Sequence, residues 1–127
     1  MKENLIKVLK VEPGKLPKVV ELKNELTALQ EAVSIGADYR GLIEIVSLDD
    51  NTCLLMNEEG KLIGLQPNRR LGWDILCGVF YVVGQNRDGD LCSLDESRLA
   101  EYAERFMIPD TFTDGEGAET IITRFFC

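Results

Sequence analysis

Histidine is absent from the 127-residue chain. It is the side chain whose ordinary pKa lies nearest neutrality, and it is the commonest metal ligand. Without it, Ser-His-Asp and Cys-His nucleophilic machinery cannot be assembled, and most zinc and non-haem iron sites lose their usual ligand. Any catalysis would fall to carboxylates, Lys, Arg, Tyr or Cys. The cysteines, at positions 53, 77, 92 and 127, form no Cys-x-x-Cys pair, so the spacing of a redox motif or metal cluster is missing. Cys53 and Cys77 lie in apolar, strand-like surroundings, where a free thiol packs as a small hydrophobe. Long apolar runs are also missing. The longest, residues 76–83, is interrupted by Gly78 and falls well short of the roughly 18 residues that a membrane span needs. The opening Met-Lys-Glu-Asn leads straight into strand-like residues, without the apolar stretch or small-residue cleavage site of a signal peptide. These absences predict no metal, no cofactor, no membrane association and a cytoplasmic location.

What is present suits a single globular domain. At this length folding buries roughly two-thirds of the unfolded chain's surface, so a core forms without staples. Hydrophobic residues make up 45% of the chain and charged residues 28%, both ordinary for a globular protein. The net charge of −8 is unevenly spread: +1 over residues 1–40, −3 over 41–85 and −6 over 86–127. Phosphate recognition needs clustered Lys and Arg, so direct nucleic-acid binding is not expected. The acidic C-terminal third keeps the protein soluble or meets a basic partner.

Periodicity sets out the elements. Leu5 to Val11 and Lys18 to Leu22 read as two strands joined at Glu12-Pro-Gly-Lys15, whose Pro and Gly suit a turn. Asn24 reads as the N-cap of a helix over 25–34, with Leu26, Leu29 and Val33 as its apolar stripe. Residues 42–46 read as a strand closed by Asp49-Asp-Asn51. Residues 53–56 and 61–65 flank Asn57-Glu-Glu-Gly60, which predicts a hairpin with Gly60 left-handed. Residues 66–74 have turn residues but no period and read as an ordered loop. Gly78 to Gly84 is apolar on both faces and reads as a central strand. Ser93-Leu-Asp-Glu96 matches a capping box, opening a helix over 94–106 with Leu99, Tyr102, Ala103 and Phe106 on its apolar face. The sum is an α+β domain over 1–109: a mostly antiparallel sheet built from hairpins, with two helices packed on one face. Residues 110–127 form a C-terminal extension, in which 120–126 have strong β character and predict an edge strand or a homodimer contact.

Candidate site residues cluster in the middle of the chain. Asn68, Arg69 and Arg70 offer bidentate donors for a phosphate or carboxylate; the plainer reading ties their loop to acids such as Asp74. Trp73 serves as a stacking wall or, more simply, as a lid on the core. Asn57 and Glu58 present an amide and a carboxylate, or only turn chemistry. Glu12-Pro-Gly-Lys15 lacks the spacing of a phosphate loop and opens no helix. The acids of the second helix line its solvent face.

Taken in order, several segments resemble one family. They are residues 8–15, 25–30, 43–46, 57–62 (Asn-Glu-Glu-Gly-Lys-Leu), 64–69 (Gly-Leu-Gln-Pro-Asn-Arg), 74–84 and 90–94. The family is the bacterial domain of unknown function 3846, and the resemblance spans about 5–106. It implies a small protein or module of Firmicutes, often encoded beside conjugative or phage genes, and carries no activity, cofactor or substrate with it. The leading expectation is a non-enzymatic interaction or regulatory module with a protein partner. Two alternatives stand beside it: an acidic DNA mimic of anti-restriction type, and a small anionic-ligand binder or enzyme using Asn68 to Arg70.

Overall fold

A computed structural model describes residues 4–112. Strands β1 (Leu5–Val11) and β2 (Lys18–Lys23) form the first hairpin, with Leu9 opposite Val19, and Lys15 N donates to Glu12 O across the turn. Helix α1 (Leu26–Ala32) follows, then β3 (Ile43–Asp49) and β4 (Thr52–Asn57) as a second hairpin around the expected 49–51 turn. After β5 (Pro67–Leu71) and β6 (Asp74–Cys77) come β7 (Phe80–Gln85), β8 (Leu91–Cys92) and α2 (Glu96–Arg105). The main sheet runs β2-β1-β7-β4-β3 with β8 also on β7, and every pairing is antiparallel. Strand β7 is central, as its two-sided apolar run predicts, and every residue of it but Gln85 is buried.

The α+β class and the antiparallel sheet hold; the placement of the helices differs. Side chains alternate across a strand, so each inner strand feeds two cores. Leu9, Val11, Leu54, Phe80 and Val82 pack beneath Leu99, Tyr102 and Phe106 of α2. Ile6, Val8, Cys53, Leu55, Tyr81 and Val83 pack beneath Leu29 of α1 and Val33 just after it. The helices therefore cover opposite faces. A strand apolar on both sides requires this, because one helical layer would leave half of β7 in water.

Three local expectations are corrected. Residues 53–65 form no hairpin: β4 pairs β3 on one side and β7 on the other, and 58–64 coil into successive turns. Strand β4 is buried along its whole length and already has both neighbours. Gly60 is not left-handed; a Cβ there would lie 2.8 Å from the Cys77 carbonyl oxygen, so close approach explains the glycine. Residues 66–74 are a two-stranded sheet, β5 with β6, in which Leu71 faces Asp74 across Gly72 and Trp73. Gly72 has φ of +62° and Trp73 does not share the positive sign, the pattern of a type II′ hairpin turn.

The helix starts also shift. The N-cap of α1 is Glu25, without a side-chain cap bond; the Asn24 amide instead donates to Leu91 O at 3.1 Å, and Leu26 is 61% exposed. The N-cap of α2 is Asp95, whose carboxylate accepts from Arg98 N at 2.9 Å. Ser93 Oγ accepts from Lys7 N instead, pinning the chain after β8 to β1. The predicted strand at 120–126 lies outside the described residues.

Candidate functional site

The Asn68-Arg69 pair lies inside the fold. Both residues are 1% exposed. The Asn68 amide donates to Val11 O at 2.9 Å and to Gly78 O at 2.8 Å, joining the ends of β1 and β6 to β5. Its Oδ1 accepts from Arg69 Nη1 at 2.7 Å. The Arg69 guanidinium also donates to the carbonyl oxygens of Asn68, Phe106 and Lys15, at 3.1, 3.1 and 2.6 Å. Four hydrogen bonds thus satisfy most of its five donors. Burial pushes the Arg69 pKa below its ordinary value, and the Asp110 carboxylate opposes this. A guanidinium enclosed by neutral carbonyl oxygens acts as a staple, gripping the first hairpin turn and the end of α2 together.

The remaining candidates are dispersed. Arg70 points the other way along β5: its N donates to Asp110 Oδ2 at 2.8 Å, and its guanidinium sits 4.9 Å above the Phe112 ring. Trp73 caps the β5–β6 turn at 76% exposure, so it is not a core lid. The acid expected to hold the arginines, Asp74, instead pairs with the buried Lys61 ammonium. Asn57 is buried; its Oδ1 accepts from Glu59 N at 2.8 Å, and its amide donates to Ser34 Oγ. Glu58 is exposed, with its N bonded to Leu42 O. Asn68 and Arg69 are brought into contact, whereas Asn57, Glu58 and Trp73 bind other neighbours or face water.

Sequence reading missed a polar group between the second hairpin and α2. Tyr102 OH donates to Asp49 Oδ2 at 2.6 Å, and Arg98 Nε lies 3.6 Å from the same oxygen. Burial and the bond to Asp49 push the Tyr102 pKa up to about 12. Burial raises the Asp49 pKa, but the Tyr102 hydroxyl, the Asn51 amide, Thr52 and the Arg98 charge outweigh it and leave it lowered. The periodicity that marked Tyr102 as core gave no sign of its hydroxyl's partner, which lies 53 residues away.

Beside this group a cleft of about 660 Å³ opens among Asp50, Asn51, Asn86, Arg87, Cys92 and Asp95. A second, of about 310 Å³, lies between Glu12, Ile35, Leu65 and Gly78. Asp95 is occupied as a helix cap and Asn86 closes its own turn, accepting from Asp88 N and Asp90 N. Among the described residues, no group of three or more Cys, Asp and Glu is placed to hold a metal ion, and no helix is long and apolar enough to cross a membrane. Burial pushes the Cys53 thiol up to about 11 and raises that of Cys77, which disfavours the thiolate needed for nucleophilic chemistry.

The family model described as domain of unknown function (DUF3846) matches residues 6–107. The chain belongs to this family. No curated protein and no solved structure matches the chain. The DUF3846 match runs from β1 through the end of α2 and so includes both cores, the Asn68-Arg69 staple and the Phe106 carbonyl it grips.

Proposed function

We propose that this chain is a non-enzymatic interaction module that docks a protein partner by strand addition along β2. The genetic setting implied by the resemblance, a mobile element, belongs to the same proposal. One observation carries it. Strand β2 is an outer strand of the sheet among the described residues; its Val19 is 50% exposed, and Leu16, just before the strand, is 67% exposed. An open edge carrying exposed aliphatic side chains is a template for an extended segment, with main-chain bonds giving affinity and side-chain pockets giving specificity. Lys18, Glu21 and Lys23 on the same strand favour a segment of mixed or acidic charge. The engagement of Asn68 and Arg69 in structural bonds supports this reading over a ligand grip at their positions.

The test pairs two measurements. Cross-linking in a native-host extract should retain a partner on the wild-type chain and lose it on Val19→Lys, with the melting temperature unchanged. A panel of esters, phosphoesters and nucleotides should show no turnover. Turnover abolished by changing a single polar residue would overturn the proposal, as would a partner indifferent to Val19.

A further inference from the structure

The hairpin end of β2 presents different chemistry on its two sides. Register fixes the sides, because side chains alternate along a strand and directly opposed residues share a face. Lys18 lies opposite Lys10, and Val19 lies opposite Leu9. Leu9 belongs to the core beneath α2, and Val20 packs on the core beneath α1. Val19 is therefore on the α2 side and Lys18 on the α1 side.

On the α1 side positive charge is in surplus. Like charges placed directly opposite repel, and Glu12 answers the Lys10–Lys18 pair, with both ammonium groups 3.6 Å from its Oε1. Lys15 Nζ lies 3.4 Å from the other oxygen. Three cations thus share one carboxylate, and the Lys15 and Lys18 side chains remain 69% and 60% exposed. Farther along the hairpin the charges are matched: Glu21 lies opposite Lys7, and Lys23 Nζ is 3.4 Å from Glu25.

On the α2 side the exposed surface is apolar. The Arg69 guanidinium holds the carbonyl oxygens of Lys15 and Phe106 together, so the residues that follow each, Leu16 and Met107, leave from one place on the surface. Both are exposed, as is Ile108.

We propose that the segment taken up by β2 alternates acidic with apolar residues. Neighbouring residues of an added strand point to opposite sides. A carboxylate opposite Lys18 enters the lysine cluster and answers its surplus charge, while the adjacent apolar side chain lies over Val19 beside Leu16 and Met107. This selectivity rests on β2 being a docking edge, and names what that edge prefers.

Peptides as long as β2 test it: one alternating Glu with Val, one Lys with Val, and one Glu with Ser. Each is titrated onto the full chain while the β2 amides are followed by NMR. The Glu-Val peptide should bind at least about tenfold more tightly than either of the others, and its advantage over Lys-Val should shrink in high salt. Lys15→Glu with Lys18→Glu should reverse the order of Glu-Val and Lys-Val. If that double variant fails to fold, Lys18→Gln alone should narrow the gap. Met107→Ser should bring the affinity for Glu-Val towards that for Glu-Ser. Equal affinity for Glu-Val and Lys-Val, with the β2 amides shifted by both, overturns the proposal and leaves strand addition at β2 standing. Failure of the Glu-Val peptide to bind overturns it too. Binding that shifts other residues in place of β2 overturns the docking edge itself, and the proposal with it.

Discussion

The Nε of Arg69 donates to the carbonyl oxygen of Phe106 at 3.1 Å, tying β5 to the last turn of α2. A helix's C-terminal carbonyls carry partial negative charge, and a cation placed there is stabilised. The same guanidinium reaches Lys15 O in the first hairpin turn, so one side chain couples three elements that are distant in sequence. Arg69→Ala strands these carbonyls, and at roughly 1.5–3 kcal/mol for each hydrogen bond to a charged group the loss should exceed about 3 kcal/mol. Arg69→Lys should cost nearly as much, because one ammonium cannot span the planar fork's partners. Urea denaturation checks both. A lysine variant as stable as the wild type would show that the fork geometry is unimportant.

The two helix starts separate what patterning reveals from what it conceals. Ser93-Leu-Asp-Glu96 and Asp95-Glu-Ser-Arg98 are both plausible N-termini, and local spacing favours the first. Tertiary context selects the second, because Ser93 Oγ is taken by Lys7 N from the neighbouring strand. Asp95→Ala should remove the cap of α2 and cost about 1 kcal/mol. Ser93→Ala should cost a similar amount, about 1 kcal/mol, through a lost strand contact. Amide exchange distinguishes them: the first turn of α2 should loosen in Asp95→Ala, and the Lys7 amide in Ser93→Ala.

The same division runs through the fold and the candidate site. Strand β7 is legible because burial on both faces leaves a run of apolar residues that no other arrangement explains. The β5–β6 hairpin is hidden, because its strands contain Asn68, Arg69 and Arg70, polar residues whose partners are backbone carbonyls elsewhere in the chain. An arginine that staples a core and one that grips a ligand are the same letter, and only the burial of its partners separates them.

Lys61 and Asp74 form an unequal pair. The ammonium side chain is 4% exposed, while the carboxylate is 32% exposed and also accepts from Ile75 N at 2.9 Å. Removing one partner of a buried pair is costly mainly through the charge left behind. Asp74→Asn abandons a buried cation and should cost about 3 kcal/mol or more, whereas Lys61→Met leaves a half-exposed carboxylate and should cost less. Equal losses in chemical denaturation would contradict this asymmetry.

Phe106 ends α2 at 2% exposure, with its ring 5.2 Å from that of Phe80 at 76° and 6.4 Å from that of Tyr102. It joins helix to sheet through packing and, by its carbonyl, joins helix to hairpin. Phe106→Ala should cost about 3–5 kcal/mol as a buried aromatic truncation. Phe106→Leu should recover much of that loss, since the Arg69 bond is to the backbone. If both variants keep the wild-type melting temperature, the outer core beneath α2 is not where the helix gains its stability.

Stability should fall in alkaline solution, and the groups responsible can be named. Burial pushes Tyr102 and Tyr81 up to about 12 from an ordinary 10.0, aided in Tyr102 by its bond to Asp49, and pushes Cys53 up to about 11 from 9.0. A group whose folded pKa is raised gives stability that is complete below its unfolded pKa and is lost as pH climbs through the folded one. The loss should therefore begin near pH 9 with Cys53 and deepen between about pH 10 and 12 with the tyrosines. Asp49 behaves oppositely: its lowered pKa gives stability that is present above the ordinary carboxylate range and is lost as pH falls below it. Tyr102→Phe tests both ends at once. It should flatten the alkaline decline and weaken the acid one, because it removes a titrating phenol and a principal hydrogen bond to Asp49. Urea midpoints across pH 3 to 12 would show this, and a profile parallel to the wild type's at both ends would show that the Tyr102–Asp49 bond does not couple α2 to the second hairpin.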